Sequence, residues 1–272
     1  MPKRNSRFIW PLLLVAGLVL SLGVIRSAGR RAVRNAGHSA SAEAERRLSP
    51  LPHIILWAWE RPEKLDFIDT DKAGVAFLAT TIYLRNEIAV ARPRLQQLSV
   101  HPGTVLIAVA RIESDRSDAP LLTPDQVRAV TKEIATLAQL PNVNAVQVDF
   151  DAKTSERAFY ADLLSAIRKA LPARTALSIT ALASWCKGDN WLDNLPIDEA
   201  VPMLFRMGVD RAQIVSGLTS GERFNSRLCG QSSGVSTDEP LPFAPAVARI
   251  YVFSPKPWSP DSLNKVLERY QR

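Results

Sequence analysis

Residue types that mark several common enzyme classes are scarce in this sequence. Its only three histidines, His38, His53 and His101, are scattered and do not have the spacing of ligands on one helix. No serine nucleophile elbow occurs, and no glycine-rich phosphate loop follows an apolar run. The sequence therefore does not indicate a serine hydrolase, a zinc site or a nucleotide site, and we predict no cofactor and no metal.

Acidic residues are absent before Glu43, whereas seven basic residues lie in the first 34 positions and supply the whole formal charge of +7. An uncharged stretch of 18 residues, Phe8 to Ile25, lies inside this basic segment. The rest of the chain contains equal numbers of acidic and basic residues. The excess positive charge therefore flanks a membrane segment and does not form a basic binding face, so we predict no nucleic-acid partner.

The stretch from Phe8 to Ile25 has the layout of a signal peptide or a signal anchor. A signal peptidase site needs small residues soon after the apolar run, but arginines occupy that region. This favours an uncleaved anchor over a cleaved signal peptide. We predict a cytoplasmic tail (residues 1–7), an anchor in the lipid bilayer (residues 8–25), a tether (residues 26–52) and a folded domain (residues 53–272). We expect a single-pass protein of the cell membrane, with this domain periplasmic or extracellular.

Cysteine is also scarce, since Cys186 and Cys229 are the only two. In an oxidising compartment they could form a disulfide. Two unpaired thiols in the core are the alternative. The predicted location outside the cytoplasm makes the disulfide plausible and leaves both alternatives open.

Short apolar runs alternate with amphipathic stretches after residue 52, which is typical of a parallel sheet covered by helices. Predicted strands cover His53–Trp59, Gly74–Tyr83, Val105–Ile112, Ala145–Phe150, Ala176–Ala183, Ala200–Phe205, a weak Leu228–Val235, and Arg249–Phe253. Predicted helices cover Thr123–Leu140, Ser155–Leu171, Arg211–Leu218 and Asp261–Tyr270, with shorter ones near Pro62 and Trp191. Eight such strands predict an α/β fold, a (β/α)8 TIM-like barrel irregular at strand seven. An open doubly wound sheet is the alternative.

The fourth predicted strand carries the most informative polar pattern. Its period of two places Gln147, Asp149 and Asp151 on one face, which points to the interior of a barrel. Two carboxylates at this spacing are roughly 6 to 7 Å apart at the backbone and disturb each other's ionisation. Such a pair suits acid and base roles in sugar hydrolysis. Alternatively, Asp149 is bonded to Arg111 or Arg206 and Asp151 caps the next helix.

Other predicted strand ends add acids and tryptophans, and the reactive groups of a parallel barrel gather at these ends. Tryptophan rings stack well on sugar rings, although each one could instead be a core residue. We predict that Asp151, Asp149 and Glu113 are catalytic and that Gln147, Trp57, Trp59, Glu60, Trp185 and Arg206 bind substrate.

Several of these stretches resemble an uncharacterised bacterial family known as domain of unknown function 3142. The stretches that carry the resemblance are Ile55–Pro62, Ala110–Ser114, Val146–Ala152, Leu177–Cys186 and Val201–Gly208. The resemblance implies a barrel, but it supplies no activity.

The chain also has a more distant similarity to chitinase-like barrels of glycoside hydrolase family eighteen, whose fourth strand carries Asp-x-x-Asp-x-Asp-x-Glu. The matching positions here are Asn144, Gln147, Asp149 and Asp151, so an aspartate replaces the catalytic glutamate of that family. Its sixth-strand Met-x-Tyr becomes Met203-Leu-Phe205. These departures argue against substrate-assisted chitinase chemistry, but not against another cleavage or binding alone.

We therefore expect a membrane-tethered, glycoside-hydrolase-like barrel that acts on an envelope or extracellular polysaccharide. Asp151 would be the general acid, Asp149 would orient it or tune its pKa, and Glu113 would be a partner from the third strand. The alternative is a non-catalytic glycan-binding or scaffold barrel of an envelope assembly.

Overall fold

The computed structural model describes residues 41–188 and 190–271. The predicted tail, the predicted anchor and most of the predicted tether lie outside these residues. Within them, no helix has both the length and the apolar character needed to cross a membrane. The described chain begins with a helix over residues 41–48 (α1), and one compact unit extends from Ala44 to the C-terminus.

Eleven strands form in the described chain, and eight of them make a closed parallel barrel. The barrel strands are β1 Ile54–Ala58, β3 Ala73–Arg85, β6 Leu106–Ser114, β7 Val143–Asp149, β8 Ala176–Leu182, β9 Glu199–Met203, β10 Ser232–Ser236 and β11 Arg249–Phe253. Each pairs in parallel with its neighbours, and β1 pairs with both β3 and β11, which closes the sheet. The predicted TIM-like barrel is therefore confirmed, and an open sheet is excluded.

Five further helices follow α1 and cover the outside of the barrel: α2 Pro124–Leu137, α3 Arg157–Ala170, α4 Ala183–Gly188, α5 Arg211–Thr219 and α6 Pro260–Tyr270. The four long predicted helices are confirmed, and the short one near Trp191 is a 3-10 turn. Thr123 caps α2, because its Oγ1 accepts a hydrogen bond from the N–H of Gln126 at 3.3 Å. The helices α2 to α5 form the four consecutive crossovers from β6 to β10, whereas the described crossover from β10 to β11 contains no α-helix and α6 follows β11.

The first two crossovers depart from the regular fold, since neither contains an α-helix in the described chain. The predicted helix near Pro62 is wrong: Glu63–Leu65 forms β2, which pairs with β5 Leu98–Val100. Glu63 and Leu65 are both buried on either side of exposed Lys64, a period of two that a strand satisfies and a helix does not. β3 continues beyond the barrel into an antiparallel hairpin with β4 Ile88–Pro93.

The N-terminal end of the barrel is closed by α1 and the turn after it. Leu48 and Leu51 are buried against the interior residues of the strands. Nε and Nη2 of Arg47 donate hydrogen bonds to Oδ1 of Asp198 at 2.9 and 2.8 Å. The end of the predicted tether thus packs against the barrel, and the carboxyl ends of the strands open at the opposite side.

Candidate functional site

A cleft of about 480 Å³ lies at the carboxyl ends of the barrel strands. It combines a polar side with an apolar wall. The polar lining residues are Arg111, Asp149, Asp151, Thr180, Ser184, Arg206 and Asp210, and the apolar ones include Trp57, Trp59, Met203, Phe205 and Phe253. This is the end of a parallel barrel where reactive groups are expected.

Asp149 is the last residue of β7, and its carboxylate sits low in the cleft. Burial raises the pKa of this carboxyl to about 6, and the nearby charges of Asp151 and Glu113 act in the same direction. The hydroxyl of Thr180 donates a hydrogen bond to Oδ1 at 2.6 Å and opposes the rise in pKa. Nε of Arg111 lies 4.0 Å from Oδ2 and also opposes it. Asp149 therefore holds a proton at mildly acidic pH.

Asp151 lies just beyond the end of β7, at the rim of the cleft, and is more exposed than Asp149. Its pKa is raised because the cleft removes part of its solvent, while the positive charge of Arg111 lowers it. Both predicted carboxyls thus reach the same cleft, as the period-two pattern predicted. The charge of Asp151 contributes to the raised pKa of Asp149, so the ionisation of the two carboxyls is coupled.

Glu113, the third predicted acid, lies on β6 and does not line the cleft. Its Oε1 forms an ion pair with Nη2 of Arg111 at a distance of 2.9 Å. It borders a second, smaller cavity that adjoins the cleft. Glu113 therefore acts on Asp149 through its charge and through Arg111.

Aromatic side chains form the wall opposite the carboxyls. Trp57 is almost fully buried, and its Nε1 donates a hydrogen bond to Oε1 of Gln147 at 2.9 Å. Gly234 leaves room for this ring, because a Cβ there would lie 2.9 Å from an edge carbon of Trp57. The rings of Phe205 and Phe253 stack with centroids 5.6 Å apart and planes 6° apart. The wall offers flat apolar surface of the kind that sugar rings stack on.

Arg206 extends over this wall. Its guanidinium lies 4.8 Å from the centroid of the Phe253 ring, a cation–π contact. Its φ of 52° falls in the left-handed region, which costs an arginine on the order of 1 kcal/mol. Glu239 accepts a hydrogen bond from the Arg206 N–H at 3.1 Å and holds this conformation. A strained arginine fixed at a cleft is a candidate ligand contact.

Three predicted substrate contacts lie away from the cleft. Gln147 is fully buried beneath it and donates a hydrogen bond to Oγ of Ser178 at 3.1 Å. Glu60 lines a different surface pocket, because it follows Trp59 and faces the other way. Trp185 packs in the outer core, edge-on to Trp191 at 5.1 Å. The chain turns into α4 directly after β8, which directs Trp185 away from the barrel axis.

Thr180 and Phe253 also line the cleft, although neither is among the predicted site residues. Thr180 follows Ser178 on the interior face of β8, and Phe253 follows Tyr251 on the interior face of β11. The period of two along each strand was the signal for both. Cys186 and Cys229 form a disulfide that ties α4 to the turn before β10.

Fold and cleft together define an eight-stranded TIM-like barrel with a carboxyl pair at the ends of its strands. Residues 103–203 match the model of a protein family described as a domain of unknown function, DUF3142, which confirms the predicted resemblance. No curated protein matches the sequence.

Among solved structures, the chain is similar to the chitinase domain of the spore coat protein CotE from Clostridium difficile. The two share 12% identity with a TM-score of 0.38, and the match covers 56% of this chain and 49% of that chain. This chain therefore matches about half the length of that protein chain.

Proposed function

We propose that this protein is a glycoside hydrolase whose barrel cleaves a polysaccharide at the Asp149–Asp151 pair. The observation that carries the proposal is the raised pKa of Asp149, about 6, in a cleft that Asp151 shares. An acid for sugar chemistry must keep its proton near the working pH, and burial raises the pKa of both Asp149 and Asp151 in this direction. The aromatic wall beside the pair supplies the surface on which sugar rings would stack.

The carboxyl pair supplies both proton transfers that hydrolysis needs. Asp151, at the rim, protonates the glycosidic oxygen as the bond from that oxygen to the anomeric carbon breaks. A water molecule adds its oxygen to the anomeric carbon and returns a proton to the pair, which restores the starting state. Asp149 orients Asp151 and, by its own raised pKa, keeps one proton on the pair. Arg111 limits the pKa rise of both carboxyls.

We also propose that the Phe8–Ile25 segment anchors the protein in the cell membrane and that the barrel lies outside the cytoplasm. The support is the uncharged run with basic flanks in the sequence. A disulfide in the barrel fits an oxidising compartment. The substrate would then be a polysaccharide of the envelope or of the extracellular space.

The decisive variant for hydrolysis is Asp151→Asn in the full-length chain. It removes the proton that the leaving oxygen needs, so reducing-end release from a panel of polysaccharides should fall at least 100-fold. Asp125→Asn, an exposed change on α2, is the matched control and should keep full activity. The thermal transition of both variants should stay within a few degrees of the wild type. Activity that survives Asp151→Asn would show that the assignment is wrong.

Two observations favour a second candidate, a barrel that binds glycan without cleaving it. The carboxyl of Asp151 is one methylene shorter than a glutamate at this position, and Phe205 brings no hydroxyl to the cleft. Misplacement of an acid by about 1 Å can lower a rate about 100-fold. This candidate predicts that Trp59→Ala weakens binding to a polysaccharide that the wild type never cleaves. Release of reducing ends by the wild type excludes it.

A further inference from the structure

A second cavity, here called the side chamber, adjoins the cleft between the ends of β6 and β7. Its volume is about 280 Å³, and its lining includes Glu113, Ser114, Arg116, Lys153 and Glu156. Arg111, Asp149 and Asp151 line both the side chamber and the cleft. The carboxyl pair therefore stands at the junction of two binding spaces.

The two spaces differ in chemistry. The cleft presents the aromatic wall, whereas the side chamber is lined mainly by charged residues. Ser114 adds a buried hydroxyl that has no hydrogen-bond partner among the residues described. A polar group or a water bound in the chamber would satisfy it.

Glu113 and Glu156, the two acids that line the side chamber but not the cleft, already have bonding partners. Glu113 pairs with Nη2 of Arg111 at 2.9 Å. Glu156 is buried, and its Oε2 accepts a hydrogen bond from the backbone N–H of Lys153 at 2.7 Å. The side chains of Arg116 and Lys153, by contrast, are exposed and have no ion-pair partner within the described residues. The cations Arg116 and Lys153 are therefore available to a ligand in this chamber, which the carboxyls of Asp149 and Asp151 also line.

We propose that the side chamber is a second sugar subsite and that it binds a unit carrying a carboxylate. A polysaccharide that crosses the carboxyl pair would place one unit against the aromatic wall and the next in the side chamber. Arg116 and Lys153 would then form charge-assisted hydrogen bonds to the carboxylate. The inference rests on the proposed function, and it names the substrate class as an acidic polysaccharide that is cut within the chain.

The test compares acidic polymers with their own neutral forms. Alginate, hyaluronan and polygalacturonate are each used as such and after chemical reduction of their carboxylates to alcohols. Affinity electrophoresis measures how strongly each polymer retards the full-length chain. The Asp151→Asn background keeps the polymer intact, and reducing-end release by the wild type is measured in parallel.

The decisive variant is the double change Arg116→Ala with Lys153→Ala. Its matched control is Arg128→Ala with Lys132→Ala, two exposed cations on α2 that do not line the side chamber. We expect at least one acidic polymer to retard the protein at a concentration about tenfold lower than its reduced form. The double variant should lose this preference, and the control should keep it.

Equal retardation by all acidic polymers and their reduced forms would overturn the subsite, and so would a preference that survives in the double variant. Cleavage of acidic and reduced polymers at the same rate would also overturn it, while hydrolysis itself would stand. A preference that depends on Arg116 and Lys153, without release of reducing ends, would support the subsite and contradict the proposed hydrolysis.

Discussion

At the scale of single residues, Asp149 links the stability of the barrel to pH. Its pKa in the folded chain is about 6, above its value of 3.8 as a free side chain. Between these values the folded state binds more protons than the unfolded state, so the free energy of unfolding falls as pH rises. The contribution of the protonated Asp149 carboxyl to the free energy of unfolding is fully present below about pH 4 and is lost as the pH rises through about 6. A shift of this size corresponds to about 3 kcal/mol.

Asp149→Asn should remove this dependence, because the amide has no proton to lose and still accepts from Thr180. Relative to the wild type, the variant should gain up to about 3 kcal/mol at pH 7.5 and much less at pH 4.5. Urea unfolding at the two pH values measures the difference. Asp162→Asn, an exposed change on α3, should show no such gain. An equal effect of Asp149→Asn at both pH values would mean that its carboxyl is not perturbed by burial.

The residues of the site were partly predictable from sequence. Asp149 and Asp151 were found because the polar pattern of β7 repeats every two residues, and Trp57 and Trp59 because they end the first strand. Trp185 was predicted to contact substrate but packs in the outer core, because the path of the chain after β8 depends on how α4 packs. The raised pKa of Asp149 also depends on its burial by residues from several strands, and no local sequence pattern indicates such burial.

At the scale of elements, Arg94 holds the loop that follows β1. Its guanidinium donates hydrogen bonds to the carbonyls of Ala58, Trp59 and Arg61, the last at 2.6 Å. Its Nε donates to the carbonyl of Gln96 at 2.9 Å. One side chain from the segment after β4 thus fixes the backbone that carries Trp59 into the cleft.

Arg94→Met should therefore loosen the Trp59 side of the cleft. Carbonyls left without this donor should destabilise the fold by about 1 to 3 kcal/mol. KM for a cleaved polysaccharide should rise severalfold with a smaller change in kcat, since the carboxyl pair is untouched. Arg92→Met, an exposed arginine on β4, is the control for both measurements. A fall in kcat alone would argue against a role in positioning Trp59.

The elements themselves followed from the sequence wherever they were buried. All eight barrel strands were predicted, most of them because they are apolar runs, whereas β10 was only weakly indicated because it consists of three serines, a glycine and a valine. The strands β2, β4 and β5 were missed, because they are short or mostly exposed and carry little hydrophobic signal. Their pairing depends on partners that are distant in sequence or on a hairpin outside the barrel.

At the scale of the whole molecule, the barrel is closed at one end by residues that precede its first strand. Asp198 is buried there and accepts hydrogen bonds from Arg47, from Nη1 of Arg168 at 3.2 Å and from the N–H of Leu177 at 2.8 Å. A buried carboxylate needs such partners, because desolvation otherwise disfavours its charge. The segment around Arg47 is thus part of the folded unit.

Arg47→Ala should lower the free energy of unfolding by about 2 kcal/mol, because it removes charge-assisted hydrogen bonds from Asp198. The midpoint of thermal unfolding should fall by roughly 5 °C. Arg174→Ala, an exposed arginine just before β8, is the control and should change it little. An unchanged midpoint for Arg47→Ala would show that α1 is not needed to close the barrel.

The position of α1 also fixes where the polypeptide joins the barrel. Residues 44–48 reach it at the amino ends of the strands, whereas the cleft and the side chamber open at the carboxyl ends. The joining point and the cleft therefore lie at opposite ends of the barrel. A polymer several units long that lies across the cleft would therefore be at the opposite end of the barrel from residues 44–48.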